Sequence, residues 1–232
     1  MDKYVLIVAG GKGLRMGGDL PKQFIPMRGK PLLMHTLEAF HRWDASARII
    51  LVLPEDHQPY WNMLCKEIGC KVPHAIVKGG DTRFFSVKNG LDWLLAERRR
   101  KGEEDSGLSL VAVHDGVRPF VSPEVVEACF DKAAVTGAVI PVVPMIDSLR
   151  ETDEKGSHPV DRSRYMAVQT PQVFLLELLT KAYEQPYSSL FTDDASVVEA
   201  MGHAIDTVPG DRENFKITTP FDLLIAEAMF AR

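Results

Sequence analysis

The sequence is poor in cysteine and has no long apolar run, and each shortage excludes a class of protein. Its three cysteines, Cys65, Cys70 and Cys129, have neither the even count of a disulfide framework nor the spacing of a zinc site. We therefore expect reduced thiols in a cytoplasmic protein. No apolar stretch approaches the ~20 residues that a membrane-spanning helix needs, and the first residues lack the long hydrophobic region of a secretory signal. No contact with a membrane is expected.

Clustered positive charge is also scarce. The formal net charge is −5, and the chain has no basic tail or stripe. Nucleic-acid binding requires clustered lysine and arginine, so a nucleic-acid partner is not expected. The one basic run, residues 98–101, ends a helical pattern just before Gly102, where positive charge complements the helix dipole. We interpret this run as a solvated helix end.

The 232 residues do contain a regular alternation of short apolar runs and amphipathic helical patterns. Continuous apolar runs are typical of parallel strands that are buried on both faces. Strands are predicted at 4–9, 48–53, 74–77, 108–114, 139–143 and 204–208. Helices are predicted at about 31–43, 57–68 and 82–100, from 123 onward, and at about 174–184, 193–201 and 219–231. The pattern predicts one α/β domain over residues 1–232, with a Rossmann-like, mostly parallel sheet and helices on both faces.

One segment, residues 144–170, breaks this alternation. Its polar and apolar residues alternate around a turn at 153–156, which predicts two antiparallel strands that project from the core as an arm. Such an arm is exposed on both sides unless a partner covers it. The segment therefore predicts a homodimer formed through the arm, with a mobile flap as the alternative.

Glycine and charged residues follow three of the predicted strands, at 10–18, 79–83 and 115–119. Ligands of parallel sheets bind beyond the carboxyl ends of the strands, so these loops are expected to share one binding edge. Glycines in the first loop let the backbone approach a phosphate closely. However, Met16 excludes a Rossmann dinucleotide motif, and Asp19 excludes a P-loop.

The remaining pattern in the first loop is G-G-x-G-x-R-M, followed by Pro21-Lys22-Gln23. Arg15 and Lys22 are thus two cations on one glycine-rich loop. Phosphoryl and nucleotidyl transfer need such cations, because negative charge spreads over phosphate oxygens in the transition state. The alternative interpretation is a surface loop with incidental charges.

These motifs resemble those of the sugar-nucleotide pyrophosphorylases and related nucleotidyltransferases, and among these the family of 2-C-methyl-D-erythritol 4-phosphate cytidylyltransferases. Further similar motifs occur in the family's order over nearly the whole chain. They are Gly79-Gly80-Asp81-Thr82-Arg83 with Ser86-Val87, His114-Asp115-Gly116-Val117-Arg118-Pro119, Val160-Asp161-Arg162, Gln169-Thr170-Pro171-Gln172, Thr192-Asp193-Asp194-Ala195-Ser196 and Asn214-Phe215-Lys216-Ile217-Thr218.

The resemblance implies a reaction in which CTP and methylerythritol phosphate give the CDP-linked alcohol and pyrophosphate. The acceptor phosphate is already ionised at neutral pH, so positioning and charge stabilisation suffice without a general base. The residues that the resemblance assigns to catalysis are Arg15, Lys22 and Lys216. Those that it assigns to the nucleotide are Ala9, Gly10, Gly11, Gly13, Gly80, Asp81, Arg83, Ser86, Asp115 and Gly116.

The resemblance also implies how the polyol phosphate acceptor binds. The residues assigned to it are Asp115, Arg118, Ser148, Arg162, Thr170 and Thr192, with Arg162 reaching into the neighbouring subunit from the arm. Asp115 is the candidate ligand of Mg²⁺, which prefers carboxylate and phosphate oxygens. Direct metal binding and contact with ribose or acceptor remain alternatives for this carboxylate.

Several residues also have a purely structural interpretation. Ser86 would be a helix-surface serine, Asp81 a helix N-cap, and Arg118 one half of a surface ion pair. Asp193 and Asp194 suit a helix N-terminus. His114 is interpreted as structural, and Gly116, which stands where the family often has alanine, is expected to loosen the strand end.

Three other functions stay open. An enzyme of the same build could use ribitol 5-phosphate as acceptor, and a sugar-1-phosphate nucleotidyltransferase could use UTP or GTP. A nucleotide-binding protein without catalysis is the alternative from another class.

Overall fold

The computed structural model describes residues 1–10, 20–103 and 107–231. Within these ranges the α-helices are α1 Leu32–Trp43, α2 Gln58–Ile68, α3 Arg83–Lys101, α4 Pro123–Thr136, α5 Leu176–Ala182, α6 Asp194–Glu199 and α7 Pro220–Phe230. The strands are β1 Asp2–Val8, β2 Pro26–Met27, β3 Lys30–Pro31, β4 Arg48–Leu53, β5 His74–Lys78, β6 Ser109–Asp115, β7 Ala138–Pro144, β8 Leu149–Asp153, β9 Gly156–Val160, β10 Met166–Val168, β11 Gln172–Leu175 and β12 Asp206–Pro209.

The central sheet of the described residues has eight strands, in the order β10-β7-β11-β6-β1-β4-β5, with β12 paired to β7. β1 lies parallel between β4 and β6, and β5 lies parallel to β4. β11 is antiparallel to both β6 and β7, and β10 is antiparallel to β7. The sheet is therefore mixed but mostly parallel, which confirms the predicted α/β class. Its register places Val8 of β1 beside Asp115 and Val52, so the carboxyl ends of three strands meet at one edge.

Alternating side chains of β1 enter two separate cores. Val5 and Ile7 pack in a cluster with residues of α1, α2 and α4. Tyr4 and Leu6 pack in a second cluster with residues of α3, α5 and α6. Because a strand points successive side chains to opposite faces, this division means that helices cover both faces of the sheet.

The predicted arm is shorter in the structure than residues 144–170. β7 runs to Pro144, and β10 pairs with β7 in the central sheet, so both ends of the segment belong to the core. Within the segment, only β8 and β9 form a separate two-stranded hairpin, in the register Leu149 opposite Val160. The prediction of two antiparallel strands around a turn is confirmed. The predicted boundaries of the arm, 144 and 170, are wrong.

β11 stands where the first part of the 174–184 helix was predicted. Val173 and Phe174 are fully buried between β6 and β7, and residues of this type favour a pleated, buried surface. Pairing on both sides overrides the helical pattern, and the helix begins only at Leu176.

The basic run at the end of α3 is not wholly solvated. Arg98 is only 5% exposed, and its Nη1 donates hydrogen bonds to Tyr4 Oη at 2.6 Å and to Ser109 Oγ at 2.9 Å. The same nitrogen lies 3.1 Å from the Asp2 carboxylate, which pairs the buried charge. The prediction of a solvated helix end is therefore wrong for Arg98. Gly102 does end the helix, in the left-handed conformation.

Across residues 1–10, 20–103 and 107–231, the helices are too short or too polar to cross a bilayer.

Candidate active site

A cleft of about 360 Å³ opens at the carboxyl ends of β1, β5 and β6. Its described lining is Val8, Ala9, Gly10, Lys22, Gln23, Gly80, Asp81, Thr82, Arg83, Ser86, Asp115, Val117 and Lys216. Nine residues predicted for catalysis or nucleotide binding thus come together, although they lie far apart in the sequence. Gly11, Gly13 and Arg15 were predicted for the same site and lie outside the described residues.

Lys22 is positioned by the two residues that follow it. Gln23 is 1% exposed, and its Nε2 donates to the Ala9 carbonyl oxygen at 3.0 Å. The same amide lies 3.2 Å from His57 Nδ1. Phe24 packs edge-on against the Tyr60 ring at 5.1 Å between centroids. The short 3-10 turn of Lys22 is therefore held to the end of β1 and to the start of α2. The P-K-Q motif contained Gln23, but no motif pointed to His57.

Ser86 closes the loop at Gly80 onto the first turn of α3. The Gly80 N–H donates to Ser86 Oγ at 3.1 Å, and the serine hydroxyl donates to the Thr82 carbonyl oxygen at 2.9 Å. Ser86 is buried and lines the cleft, so it is not a helix-surface serine. The N-cap of α3 is Thr82 and not Asp81, because the Thr82 side chain accepts a hydrogen bond from the Phe85 N–H. Asp81 remains an exposed residue of the cleft wall.

Gly80 is required for this closure. A Cβ at this position would lie 2.4 Å from the Cβ of Phe85, so a larger residue would push the loop away from the helix.

Asp115 is surrounded by three cations. Its Oδ2 lies 3.0 Å from Lys216 Nζ and 3.2 Å from Arg118 Nε, and its Oδ1 lies 3.9 Å from Arg83 Nε. Burial alone would raise the pKa of the Asp115 carboxyl. The charges of Lys216, Arg83 and Arg118 outweigh burial and hold that pKa well below its usual value. The carboxylate is therefore ionised at neutral pH, and it holds Lys216 at the cleft although the two residues lie far apart in the sequence.

Arg83 is anchored from behind by Asp194. Its Nη1 and Nη2 lie 2.9 Å and 2.6 Å from the two carboxylate oxygens, and the Tyr183 hydroxyl donates to the same carboxylate at 2.6 Å. Burial would lower the pKa of Arg83, but the charge of Asp194 keeps that pKa above its usual value. Asp194 is fully buried and is not merely a helix N-terminal charge; Asp193 is the N-cap of α6.

Arg118 and Thr170, both assigned to acceptor binding, contact Asp115. Arg118 Nη1 donates to the Asn214 carbonyl oxygen at 2.7 Å, and Thr170 Oγ1 accepts from the Asp115 N–H at 3.1 Å. Both residues therefore help to fix the position of the Asp115 carboxylate. Their side chains make hydrogen bonds to other groups of the same fold. Arg118 is not the surface ion pair of the structural alternative, because its side chain is only 11% exposed.

His114 completes this support and is structural, as predicted. It is fully buried, its Nε2 lies 3.0 Å from the Arg118 carbonyl oxygen, and its Nδ1 lies 3.0 Å from Thr170 Oγ1. Burial lowers the pKa of His114 to about 4, so the ring is neutral at pH 7. The carbonyl partner requires a proton on Nε2, so the threonine hydroxyl donates to Nδ1.

Gly116 does not loosen the strand end. Its N–H donates to the Val8 carbonyl oxygen at 2.9 Å, and its carbonyl oxygen accepts from Thr36 Oγ1 at 3.1 Å. A Cβ here would lie 2.9 Å from Ala9 Cβ and 2.9 Å from Leu33 Cδ1. Glycine instead allows β6 to approach β1 and α1 closely.

The remaining acceptor residues predicted from the sequence are exposed or partly exposed and separate from this cleft lining. Ser148 and Arg162 flank the β8–β9 hairpin, and Thr192 precedes α6. The Arg162 guanidinium donates to the Ile146 carbonyl oxygen. Their role in acceptor binding stays a prediction.

The described residues hold no cluster of three or more acidic, histidine or cysteine side chains that could bind a metal alone. Asp115 is the carboxylate at the centre of the cleft. Its Oδ2 lies beside Lys216 and Arg118, and its Oδ1 lies 3.9 Å from Arg83 Nε. One carboxylate fits Mg²⁺ that arrives with a triphosphate, because this ion is commonly held by one or two carboxylates together with phosphate oxygens.

A mostly parallel sheet with a cleft of lysine and arginine side chains at its strand ends is the arrangement of an α/β nucleotidyltransferase. Comparison with known proteins narrows this class. The family model described as IspD, 2-C-methyl-D-erythritol 4-phosphate cytidylyltransferase, matches residues 4–232. The chain belongs to this family.

Individual relatives agree. The 2-C-methyl-D-erythritol 4-phosphate cytidylyltransferase of Bacteroides fragilis is 55% identical over 99% of this chain and 100% of its own. The crystal structure of the protein of that name from Thermus thermophilus is 32% identical and has a TM-score of 0.74, with coverage of 100% of both chains. The 4-diphosphocytidyl-2C-methyl-D-erythritol synthase of Anaerococcus prevotii is 28% identical, with a TM-score of 0.79 and coverage of 100% of this chain and 96% of its own.

Proposed function

We propose that the protein transfers the cytidylyl group of CTP to 2-C-methyl-D-erythritol 4-phosphate and releases pyrophosphate, a step in the synthesis of isoprenoid precursors. The observation that carries this proposal is the cleft that brings Lys22, Lys216 and Arg83 together with Asp115, at the strand ends of a chain from this family.

The residues of the cleft suit distinct parts of the reaction. Lys22 and Lys216 neutralise the charge that accumulates on the α-phosphate, and Arg15 is proposed to assist them. The acceptor phosphate oxygen attacks the α-phosphorus, the bond to the pyrophosphate oxygen breaks, and pyrophosphate leaves. An ionised phosphate is already a nucleophile, so the cleft needs only to align the reactants and stabilise charge.

Nucleotide binding is proposed to follow the shape of the loops. Gly10 leaves the backbone open at the end of β1, while Ala9 is tied to Val52 and Gln23 through its backbone groups. Ser86 and the Gly80 backbone form a rigid corner for the cytosine, because hydrogen bonds within the fold hold both in place.

Mg²⁺ is the proposed cofactor, with Asp115 as its candidate protein ligand. The ion would supply charge neutralisation on the triphosphate. Chelation of divalent ions with EDTA should abolish pyrophosphate release, and excess Mg²⁺ should restore it. Full activity in EDTA would contradict the metal requirement.

A homodimer formed through the β8–β9 hairpin is part of the proposal. A two-stranded hairpin with both faces exposed is marginal by itself. Exposed apolar residues flank it, with Ile146 at 61%, Tyr165 at 46% and Met166 at 47% exposure. A second subunit would cover this surface, and Arg162 and Ser148 would then reach its acceptor site.

A pyrophosphate-release assay tests the reaction directly. Each of the four nucleoside triphosphates is offered with Mg²⁺ and with methylerythritol phosphate, ribitol phosphate or a sugar 1-phosphate. We expect turnover with CTP and methylerythritol phosphate. Turnover with ribitol phosphate alone would favour a ribitol 5-phosphate cytidylyltransferase. Preference for UTP or GTP with a sugar 1-phosphate would favour a sugar-1-phosphate nucleotidyltransferase. Nucleotide binding without turnover on any acceptor would indicate a non-catalytic protein.

Lys22→Ala tests the catalytic assignment. Removing one charge from the developing transition state should lower kcat by about 100-fold or more. The matched control is Lys88→Ala on α3, where the lysine pairs with Asp92 at 3.5 Å and lies outside the cleft lining. Circular dichroism should be unchanged in both variants. Near-normal kcat in Lys22→Ala would refute its role.

A further inference from the structure

The end of α2 brings two cysteines together. Gly69 has a left-handed backbone with φ of 74°, and its N–H donates to the Cys65 carbonyl oxygen. The Cys70 N–H donates to the same oxygen at 2.9 Å. This is the turn of a glycine-capped helix C-terminus, which places the residue after the glycine against the residue one turn earlier in the helix. Cys70 therefore packs against Cys65.

The two thiols are neighbours that shift each other's pKa in opposite directions. Both cysteines are half-buried at the rim of the core cluster of α1, α2 and α4, so small molecules have access to them. Cys129, by contrast, is fully buried in the middle of that cluster.

We propose that Cys65 and Cys70 form a dithiol oxidation site, at which a hydroperoxide converts the pair to an intrachain disulfide. A disulfide requires the two Cα atoms to lie within about 7 Å and the side chains to converge. The helix-terminal turn brings the two side chains together in this way. Disulfides in reducing compartments are usually transient and redox-sensing. A half-exposed pair of cysteines suits this role better than the role of a permanent structural bridge.

Cys70 is the attacking residue. The neighbouring Cys65 lowers the pKa of the Cys70 thiol below its usual value, and the Val72 N–H adds to this effect against the opposing effect of burial. The same contact raises the pKa of the Cys65 thiol. Cys70 is thus the thiol of the pair that more readily supplies the thiolate, which is the form that reacts with peroxides.

The chemistry balances in two steps. The Cys70 thiolate attacks one oxygen of the hydroperoxide, so an S–O bond forms, the O–O bond breaks, and the departing alkoxide takes up the proton that Cys70 released. The Cys65 sulfur then attacks Cys70 Sγ, so the S–S bond forms and the S–O bond breaks. The hydroxide that leaves takes the Cys65 proton and becomes water. Two thiols are oxidised by two electrons and one peroxide is reduced to an alcohol and water.

The test is mild oxidation of the full chain with hydrogen peroxide at pH 7, followed by thiol titration in denaturant. Of the three thiols, only the one of Cys129 should remain, and dithiothreitol should restore all three. Trypsin cleaves after Lys66 and Lys71, so the two cysteines fall on separate peptides that only the disulfide joins. Mass spectrometry should find this cross-linked pair.

Cys65→Ala and Cys70→Ala are the matched variants. Cys65→Ala should stop at a Cys70 sulfenic acid that dimedone traps, and its alkylation profile should show a raised pKa for Cys70. Cys70→Ala should leave Cys65 largely unreacted. Three surviving thiols in the wild type would overturn the proposal, and so would a disulfide that joins two chains or includes Cys129.

Discussion

Asp194 shows how a single buried residue outside the cleft lining positions a charge inside the cleft. The carboxylate is fully buried, yet Arg83 and Tyr183 pair with both of its oxygens. Through Arg83, Asp194 places a guanidinium beside Asp115. The Asp194 carboxylate thus anchors a cation that faces the Asp115 carboxylate. A buried charge is tolerated only when it is paired in this way, and removing one partner leaves the other uncompensated.

Asp194→Asn should therefore lower the free energy of unfolding by about 3 kcal/mol, because Arg83 then loses its buried anionic partner. Urea denaturation monitored by circular dichroism measures this. The control is Asp193→Asn, one residue earlier, where asparagine remains a good N-cap and the loss should be only about 1 kcal/mol. Equal losses in the two variants would contradict the pairing argument.

At the scale of elements, the meeting of β1, β6 and α1 forms the floor of the cleft. Gly116 lies at this junction, where a Cβ would come within 2.9 Å of both Ala9 and Leu33. Gly116→Ala should cost about 1–3 kcal/mol of unfolding free energy, because overpacking forces the strand ends apart. Ala9→Gly in the same chain should recover part of this loss. A double variant as unstable as the sum of both single variants would rule out the contact.

The strands that the sequence predicted well are those whose apolar runs are buried on both faces, such as β1, β4 and β6. β10 and β11 were missed, because three or four residues carry no periodicity. Pairing makes them strands, with β7 in the case of β10 and with both β6 and β7 in the case of β11. The same distinction holds in the site. Lys22, Asp115 and Lys216 stand in motifs, whereas Asp194 meets Arg83 across 111 residues, a contact that no local pattern encodes. The Cys65–Cys70 contact was missed because it depends on a left-handed Gly69 and not on C-x-x-C spacing.

At the scale of the whole molecule, stability should fall in mild acid because of His114. Its pKa is lowered to about 4 by burial, from 6.5 in the unfolded chain. Below pH 6.5 the unfolded chain binds a proton that the folded chain does not, so stability present at pH 7 is lost as pH falls toward 4. At pH 5 the loss from this residue should be roughly 2 kcal/mol.

His114→Gln should remove that part of the pH dependence, although it lowers stability at pH 7. Urea denaturation at pH 7 and pH 5 gives the comparison. The control for replacing a histidine by glutamine is His158→Gln, at an exposed position in the hairpin beside Glu151. His35 and His74 also have pKa values lowered by burial, so some slope should remain. An unaltered slope in His114→Gln would show that folding does not lower the pKa of His114.

The arm makes a prediction about the complete assembly. If Arg162 acts in the partner's site, each active site of a symmetric dimer needs Lys22 from one subunit and Arg162 from the other. Lys22→Ala and Arg162→Ala homodimers should then both be nearly inactive. A heterodimer of the two variants has one site with both residues intact and one site with neither.

Mixing the two inactive variants under conditions of subunit exchange should therefore restore about a quarter of the wild-type rate, since half of the dimers are mixed and half of their sites are complete. Sedimentation of each variant alone, to establish that both are dimers, is the necessary control. If Arg162 instead served its own subunit, every site in the mixture would lack one residue, and the pyrophosphate-release rate would stay at the level of the separate variants.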